Sequence, residues 1–375
     1  MAIDDVLRAA VENKAVPCVV AMAASDKGVL YEGAVGTPID TVFRIASMTK
    51  AVTCVAAMQL LEQGKLSLDG PVPDIDPALT APLVLEGFGD DGTPRLRPAK
   101  RAITLRHLLT HTAGFCYEAW DPLMARFVPE TRMPAHNTGK KAGLRMPLVF
   151  DPGDTWEYGV NIDWVGLIVE AVSGRKLDEY FREHIFGPLG MKDASFSPTP
   201  EQRTRRIPPQ QRNMDGSFTT LPLDTPFTPE FWAGGGGLFM TGRDYMRFLQ
   251  ALIAGGTLEG AQVLRPETVA LMHQNHAGDL QCGMLTTQNP ARSNDVDFFP
   301  GQRVGWSLAH MFNHEPGPNG RRAGSVGWGG LYNSYYWLDP VKRVAGTILM
   351  QILPFGDHEA LKLYGQFERG VYDLL

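Results

Sequence analysis

Cysteine is scarce. Cys18, Cys54, Cys116 and Cys282 are scattered through 375 residues, mostly in apolar surroundings. That excludes a disulfide scaffold and predicts buried free thiols, as in a reducing compartment. No stretch approaches the roughly 18–20 apolar residues that a membrane span needs. Basic charge is in no excess: 35 Lys and Arg stand against 41 Asp and Glu, a net charge of −6. A nucleic-acid or anionic-lipid partner would leave a basic footprint, so neither is expected. The opening Met-Ala-Ile-Asp-Asp-Val-Leu-Arg lacks an apolar signal core, which predicts a cytoplasmic protein.

Several catalytic signatures are missing as well. There is no Gly-x-Ser-x-Gly elbow. His107 and His111 are four apart, but no glutamate follows His107 as a zinc protease motif requires, and His310 and His314 fall on an expected strand end. No metal is predicted. Gly234-Gly235-Gly236-Gly237-Leu238 lacks the Lys-Ser/Thr of a P-loop and the spacing of a dinucleotide fingerprint. Tight backbone packing explains it better, and no cofactor is expected.

Hydrophobic residues make up 44% and charged residues 20%, the balance of a globular chain with a large core. A first helix is expected over 3–14. A hairpin follows, with strands Val19–Ala24 and Val29–Val35 around the turn Ser25-Asp26-Lys27-Gly28. From about residue 66 prolines break the chain into short helices and loops, the best helices being Ile103–Thr110, Trp164–Val172 and Tyr180–Phe186, with Arg203–Thr228 irregular. A helix over Thr241–Ala254, a loop over 278–303, strands over Val304–Phe312, Tyr335–Leu338 and Val344–Ile352, and a last helix over His358–Tyr372 complete the reading. Strand texture at both ends predicts one sheet domain, 1–65 with 231–375, and an inserted mainly helical domain, 66–230.

The most informative stretch is Ser47-Met48-Thr49-Lys50, leading into Ala51–Leu61, which is apolar almost all round and has Gly64 just past its end. That pattern reads as a buried helix. Ser47 and Lys50 lie three apart and share a face. A hydroxyl needs a base to become a nucleophile, and burial lowers a lysine pKa toward that role. The helix start adds free N–H groups for an oxyanion. Ser-x-x-Lys alone is common: Ser173-Gly174-Arg175-Lys176 is a second copy, whose glycine argues for a helix end.

Two later stretches supply partners. Asp151-Pro152-Gly153-Asp154-Thr155-Trp156-Glu157-Tyr158-Gly159 ends on a phenol, which nearby ammonium groups would make a better base. Gly327-Trp328-Gly329-Gly330-Leu331 precedes Tyr335-Tyr336-Trp337, and glycines at a strand edge let a ligand approach the backbone. The N–H of Leu331 then offers a second oxyanion donor beside that of Ser47.

The order Ser-x-x-Lys, Pro-Gly-x-x-Trp-x-Tyr and Trp-Gly-Gly resembles the serine β-lactamase and penicillin-binding-protein superfamily, and within it the class C β-lactamase-like esterases (family VIII carboxylesterases). Leu108–Phe115 and Ile185–Met191 are similar to further signatures of that group. The resemblance implies a β-lactamase-like α/β (α+β) fold, an antiparallel sheet flanked by helices. It implies an acyl-enzyme on Ser47, with Lys50 and Tyr158 as shared acid and base and the N–H groups of Ser47 and Leu331 as oxyanion hole. Two departures stand out. Trp328 replaces the Lys or His that grips the carboxylate of a lactam, and Val160 stands where relatives place asparagine, with Asn161 one farther on.

Both departures favour neutral esters. The expectation is a serine carboxylesterase for short- to medium-chain esters, with small-molecule substrates, no membrane or nucleic-acid partner, and no sequence signal of oligomeric state. An acyltransferase using the same acyl-enzyme, and a β-lactamase or D-Ala-D-Ala peptidase, are the alternatives. Trp328, Gly329, Gly330, Phe115, Trp120 and Trp232 are candidate substrate contacts, though its aromatics read equally as core.

Overall fold

Strand-forming runs from both ends of the chain meet in one sheet. The computed structural model describes residues 2–223 and 228–375. Strands β1 (Val19–Ser25) and β2 (Gly28–Val35) form the expected hairpin. The C-terminal region supplies β3 (Val304–Trp306), β4 (Met311–Asn313), β5 (Val326–Gly330), β6 (Ser334–Asp339) and β7 (Val344–Leu349). The seven strands pair antiparallel in the order β3-β4-β5-β6-β7-β1-β2. The five helices used below are α1 (Ile3–Glu12), α2 (Thr49–Glu62), α3 (Asn161–Ser173), α4 (Gly242–Ile253) and α5 (His358–Tyr372).

Strand side chains alternate between faces, so the register decides which helices each row meets. The row Trp337, Gly346, Ala23, Tyr31 runs straight across β6, β7, β1 and β2. It faces α1 and α5: Phe367 packs on Trp337 and Tyr31, and the Tyr31 hydroxyl donates to Asp4 at 2.6 Å. Gly346 is obligatory there, because a Cβ would fall 2.1 Å from the Trp337 ring. The next row, Trp328, Tyr336, Thr347, Met22, faces α4, where Tyr336 meets Tyr245. Trp328 is thereby aimed at the face that carries the site.

Helix α2 is buried from Thr49 to Leu60, as a helix apolar all round requires. Gly64 follows in the left-handed conformation (φ +69). It packs beside α3, which ends at Ser173 with Gly174 left-handed (φ +71), so the second Ser-x-x-Lys is a helix terminus.

Elsewhere the expectations need correction. The expected strand Val304–Phe312 is two strands with a turn between them, β3 and β4. That over Val344–Ile352 ends at Leu349, and Ile352–Leu353 pairs in parallel with Gln210–Arg212 in another sheet. The helix expected over Ile103–Thr110 shrinks to Leu105–Leu109, because Thr104 caps it by accepting the His107 N–H. Tyr180–Phe186 is the end of a helix, Leu177–Phe181, running into a wider turn. The middle region also carries a hairpin, Leu83–Phe88 with Pro94–Pro98. Within Arg203–Thr228 a short hairpin forms (Gln210–Arg212 with Phe218–Thr220), and residues 224–227 of that stretch lie outside the described residues.

Candidate active site

Ser47 sits in a single 3-10 turn, Ala46–Met48, that runs into α2. Ala46 before it has φ +47, a left-handed conformation that costs a non-glycine residue about 1–3 kcal/mol. The surroundings hold that turn: Ile45 N–H donates to Leu238 O at 3.1 Å, Leu238 N–H to Thr49 Oγ1 at 3.1 Å, and the Tyr245 hydroxyl to Met48 O at 3.2 Å.

One turn along α2, Lys50 is 2% exposed, and its three ammonium hydrogens are matched by three acceptors. Nζ donates to Ser47 Oγ at 3.1 Å, to the Tyr117 hydroxyl at 3.1 Å and to Gly235 O at 2.7 Å. The ammonium also lies over the rings of Tyr158 and Tyr117, 4.7 and 5.2 Å from their centroids. Ser47, Lys50 and Tyr158 thus converge, but Tyr158 meets Lys50 by its ring. Its hydroxyl instead accepts the Trp328 indole N–H at 2.9 Å.

The chain path explains why the two phenols are neighbours. Residues 115–117 cross 158–159, and Tyr117 N–H donates to Tyr158 O at 3.1 Å. A Cβ on Gly159 would lie 2.3 Å from Phe115 O, so the residue after Tyr158 must be glycine. Behind them His111 packs on the Tyr158 ring at 4.8 Å. Its Nδ1 accepts from Asn161 Nδ2 at 3.0 Å and from Gly159 N–H at 3.4 Å. Burial, and then the charge of Lys50, push the imidazole well below its ordinary pKa, so it is neutral. Asn161 therefore props His111 and the Phe115 carbonyl.

The glycine run packs tightly, as expected, and also serves the site. Gly234 O accepts from Thr53 Oγ1 at 2.7 Å, Gly235 O from Lys50, and Gly235 N–H donates to Asp163 Oδ1 at 2.9 Å. Burial raises the Asp163 carboxyl, and the Lys50 charge opposes it. The end of β5 closes the other side. A Cβ on Gly330 would lie 2.2 Å from Ile45 O, which brings the next residue, Leu331, alongside the Ser47 turn. Among the described residues the Leu331 N–H has no hydrogen-bond acceptor.

Ser47 and Leu331 open into a cavity of about 700 Å³. Trp120 and Trp232 line it, as do Tyr117, Glu118, His136 and four arginines, Arg44, Arg203, Arg206 and Arg292. Two expected walls lie elsewhere. Phe115 is a core residue, fully buried against Trp164. Trp328 is buried against Tyr158, Phe298 and Trp306 rather than facing the cavity. Gly329 and Gly330 likewise make room for protein atoms, the Tyr335 ring and Ile45 O. Sequence reasoning missed Tyr117, Glu118, His136 and Asp163. The signal for Tyr117 was its place two residues after the Leu108–Phe115 signature, just beyond Cys116.

Comparison with known proteins places this arrangement. The sequence model described as Beta-lactamase matches residues 3–368. Monacolin J acid methylbutanoyltransferase of Aspergillus terreus is 33% identical over 321 residues, spanning 83% of this chain and 76% of that protein. Lovastatin esterase of Penicillium rubens is 30% identical over 322 residues, spanning 82% and 79%. Among solved structures, unliganded simvastatin synthase (LovD) from Aspergillus terreus superimposes with a TM-score of 0.84 at 31% identity, over 99% of this chain and 97% of that one.

Proposed function

The chain belongs to the beta-lactamase family, and from that footing we propose that it moves an acyl group from an ester onto an alcohol through an acyl-enzyme on Ser47, with water as the competing acceptor. The sequence favoured simple hydrolysis. The relatives shift the balance toward transfer, since they include a methylbutanoyltransferase as well as an esterase. Both outcomes use one intermediate and differ only in what attacks it.

The observation that carries the reading is the contact of Lys50 Nζ with Ser47 Oγ at 3.1 Å, at the wall of a cavity of about 700 Å³. That volume accommodates a short acyl group together with a multi-ring acceptor. In this reading Lys50 acts as the neutral amine: beside Tyr158, its Nζ draws the proton from Ser47 as Oγ attacks the ester carbonyl. The N–H groups of Ser47 and Leu331 receive the oxyanion. The alcohol departs with the proton, leaving the acyl group on Ser47. An acceptor hydroxyl then attacks, and Ser47 is regenerated. Tyr117 and Gly235 O aim the Lys50 ammonium, and the Trp328 indole holds the Tyr158 hydroxyl.

Trp328 points away from the cavity, so it offers no grip for a lactam carboxylate, which supports esters over lactams. Arg203 and Arg292 at the cavity wall suit a substrate that carries its own carboxylate. The test is product partition. With p-nitrophenyl butyrate and increasing alcohol, the new ester should grow at the expense of butyrate. A ratio unmoved by the acceptor would reduce the function to hydrolysis.

A further inference from the structure

Tyr158 is 1% exposed and does not line the cavity, so an acceptor alcohol entering it meets other proton-accepting groups. Two of them form a pair. Glu118 and His136 both line the cavity, and His136 Nδ1 lies 3.1 and 3.0 Å from the two Glu118 carboxylate oxygens. The His136 ring packs on Tyr117, with centroids 4.6 Å apart, and Tyr117 takes a hydrogen bond from Lys50. Burial pushes the Glu118 carboxyl up, but the hydrogen bond from His136, with Arg292 beyond, holds it below the usual range. It is therefore a carboxylate. A carboxylate on Nδ1 makes that nitrogen the donor and leaves Nε2 as the acceptor. Among the described residues no protein group hydrogen-bonds His136 Nε2.

A base oriented by a third group, facing the space where a substrate hydroxyl must arrive, is the arrangement acyl transfer needs in its second half. We infer that His136 is the catalytic base for the acceptor, and Glu118 the residue that positions it. This rests on the acyl-transfer reading above. The acceptor oxygen bonds to the acyl carbon as its proton passes to His136 Nε2, and the carbonyl oxygen becomes the oxyanion. On collapse the bond from the acyl carbon to Ser47 Oγ breaks, and Oγ takes up the proton that His136 accepted, passed through solvent in the cavity, so that Ser47, Lys50 and His136 all return to their starting states. The two half-reactions then have different bases: the Lys50–Tyr158 pair loads the acyl group, and the Glu118–His136 pair unloads it.

The experiment separates the halves in wild type, His136→Gln and Glu118→Gln. Loading is read from p-nitrophenol release with enzyme in excess over p-nitrophenyl butyrate, and unloading from decay of the butyryl mass on Ser47 into n-propanol. The expected result is that both variants lose far more in unloading than in loading. Unloading should slow about 100-fold in His136→Gln, the scale of a lost general base. Glu118→Gln, which keeps a hydrogen-bonding group at Nδ1, should slow it less. Butyryl-enzyme then accumulates in the variants. Loading and unloading slowed in parallel, or unloading at the wild-type rate, overturns the inference. If His136→Gln fails to fold, Glu118→Gln decides alone. If wild type never carries butyryl on Ser47, the acyl-transfer reading itself fails, which is a distinct outcome.

Discussion

Glu157, between Trp156 and Tyr158, ties stability to pH. Its backbone N–H donates to His111 O at 3.0 Å, which fixes it in the wall behind the site. Burial, and then the neighbouring Asp121 carboxylate, raise its pKa from 4.5 to about 8. The folded state therefore keeps this proton up to about pH 8, whereas the unfolded chain releases it above 4.5. Stability is fully present below pH 4.5 and is lost as pH rises toward 8. Each pH unit in that window costs about 1.4 kcal/mol. The window spans about 3.5 units, so the upper bound is about 5 kcal/mol, and partial exposure of the carboxyl reduces it to roughly 2–3 kcal/mol. Glu157→Gln keeps the shape and removes the titration. Urea unfolding at pH 5 and pH 8.5 should give similar midpoints for the two proteins at pH 5 and a higher midpoint for the variant at pH 8.5. With a slope of about 3 kcal/mol per molar urea, the gap is on the order of 1 M. Equal midpoints at pH 8.5 would refute the reasoning, because Glu157 would then titrate as an ordinary surface carboxyl.

Three substitutions probe the site directly. Trp328→Phe keeps the aromatic packing but removes the N–H that Tyr158 accepts, at a cost of about 1–3 kcal/mol. The value of kcat/KM for p-nitrophenyl butyrate should fall about 5- to 150-fold, and an unchanged value would remove Trp328 from the machinery. Gly330→Ala places a methyl 2.2 Å from Ile45 O and pushes β5 off the Ser47 turn, so kcat should drop about 100-fold with circular dichroism retained. Tyr117→Phe takes one of three acceptors from Lys50. Fluorophosphonate labelling of Ser47 should slow about tenfold without disappearing.

The parts of this molecule that were legible in the sequence are those where neighbouring residues decide the outcome. The all-apolar run after Lys50 can only be a buried helix, and a serine three residues before that lysine must share its face. The β1–β2 hairpin and the helix expected from Thr241 onward were equally local. What escaped depends on chain crossings between distant segments. Tyr117 reaches Lys50 only because residues 115–117 cross at Gly159, and Asp163 reaches the glycine run across 72 positions. Trp328 was legible as part of a motif, but its direction follows from strand register, which turns it to Tyr158 and leaves the cavity to Trp120 and Trp232. Phe115 has the composition of a pocket wall and the position of a core residue, a difference no local pattern encodes.

The central claim is that one serine carries the acyl group between donor and acceptor, and intact-protein and peptide mass spectrometry tests it most directly. After brief exposure to p-nitrophenyl butyrate, wild type should gain a single butyryl mass on the peptide containing Ser47. An added alcohol should discharge that mass as the corresponding ester, and Ser47→Ala should never acquire it. A butyryl group on any other residue, or undiminished turnover in Ser47→Ala, would contradict the account.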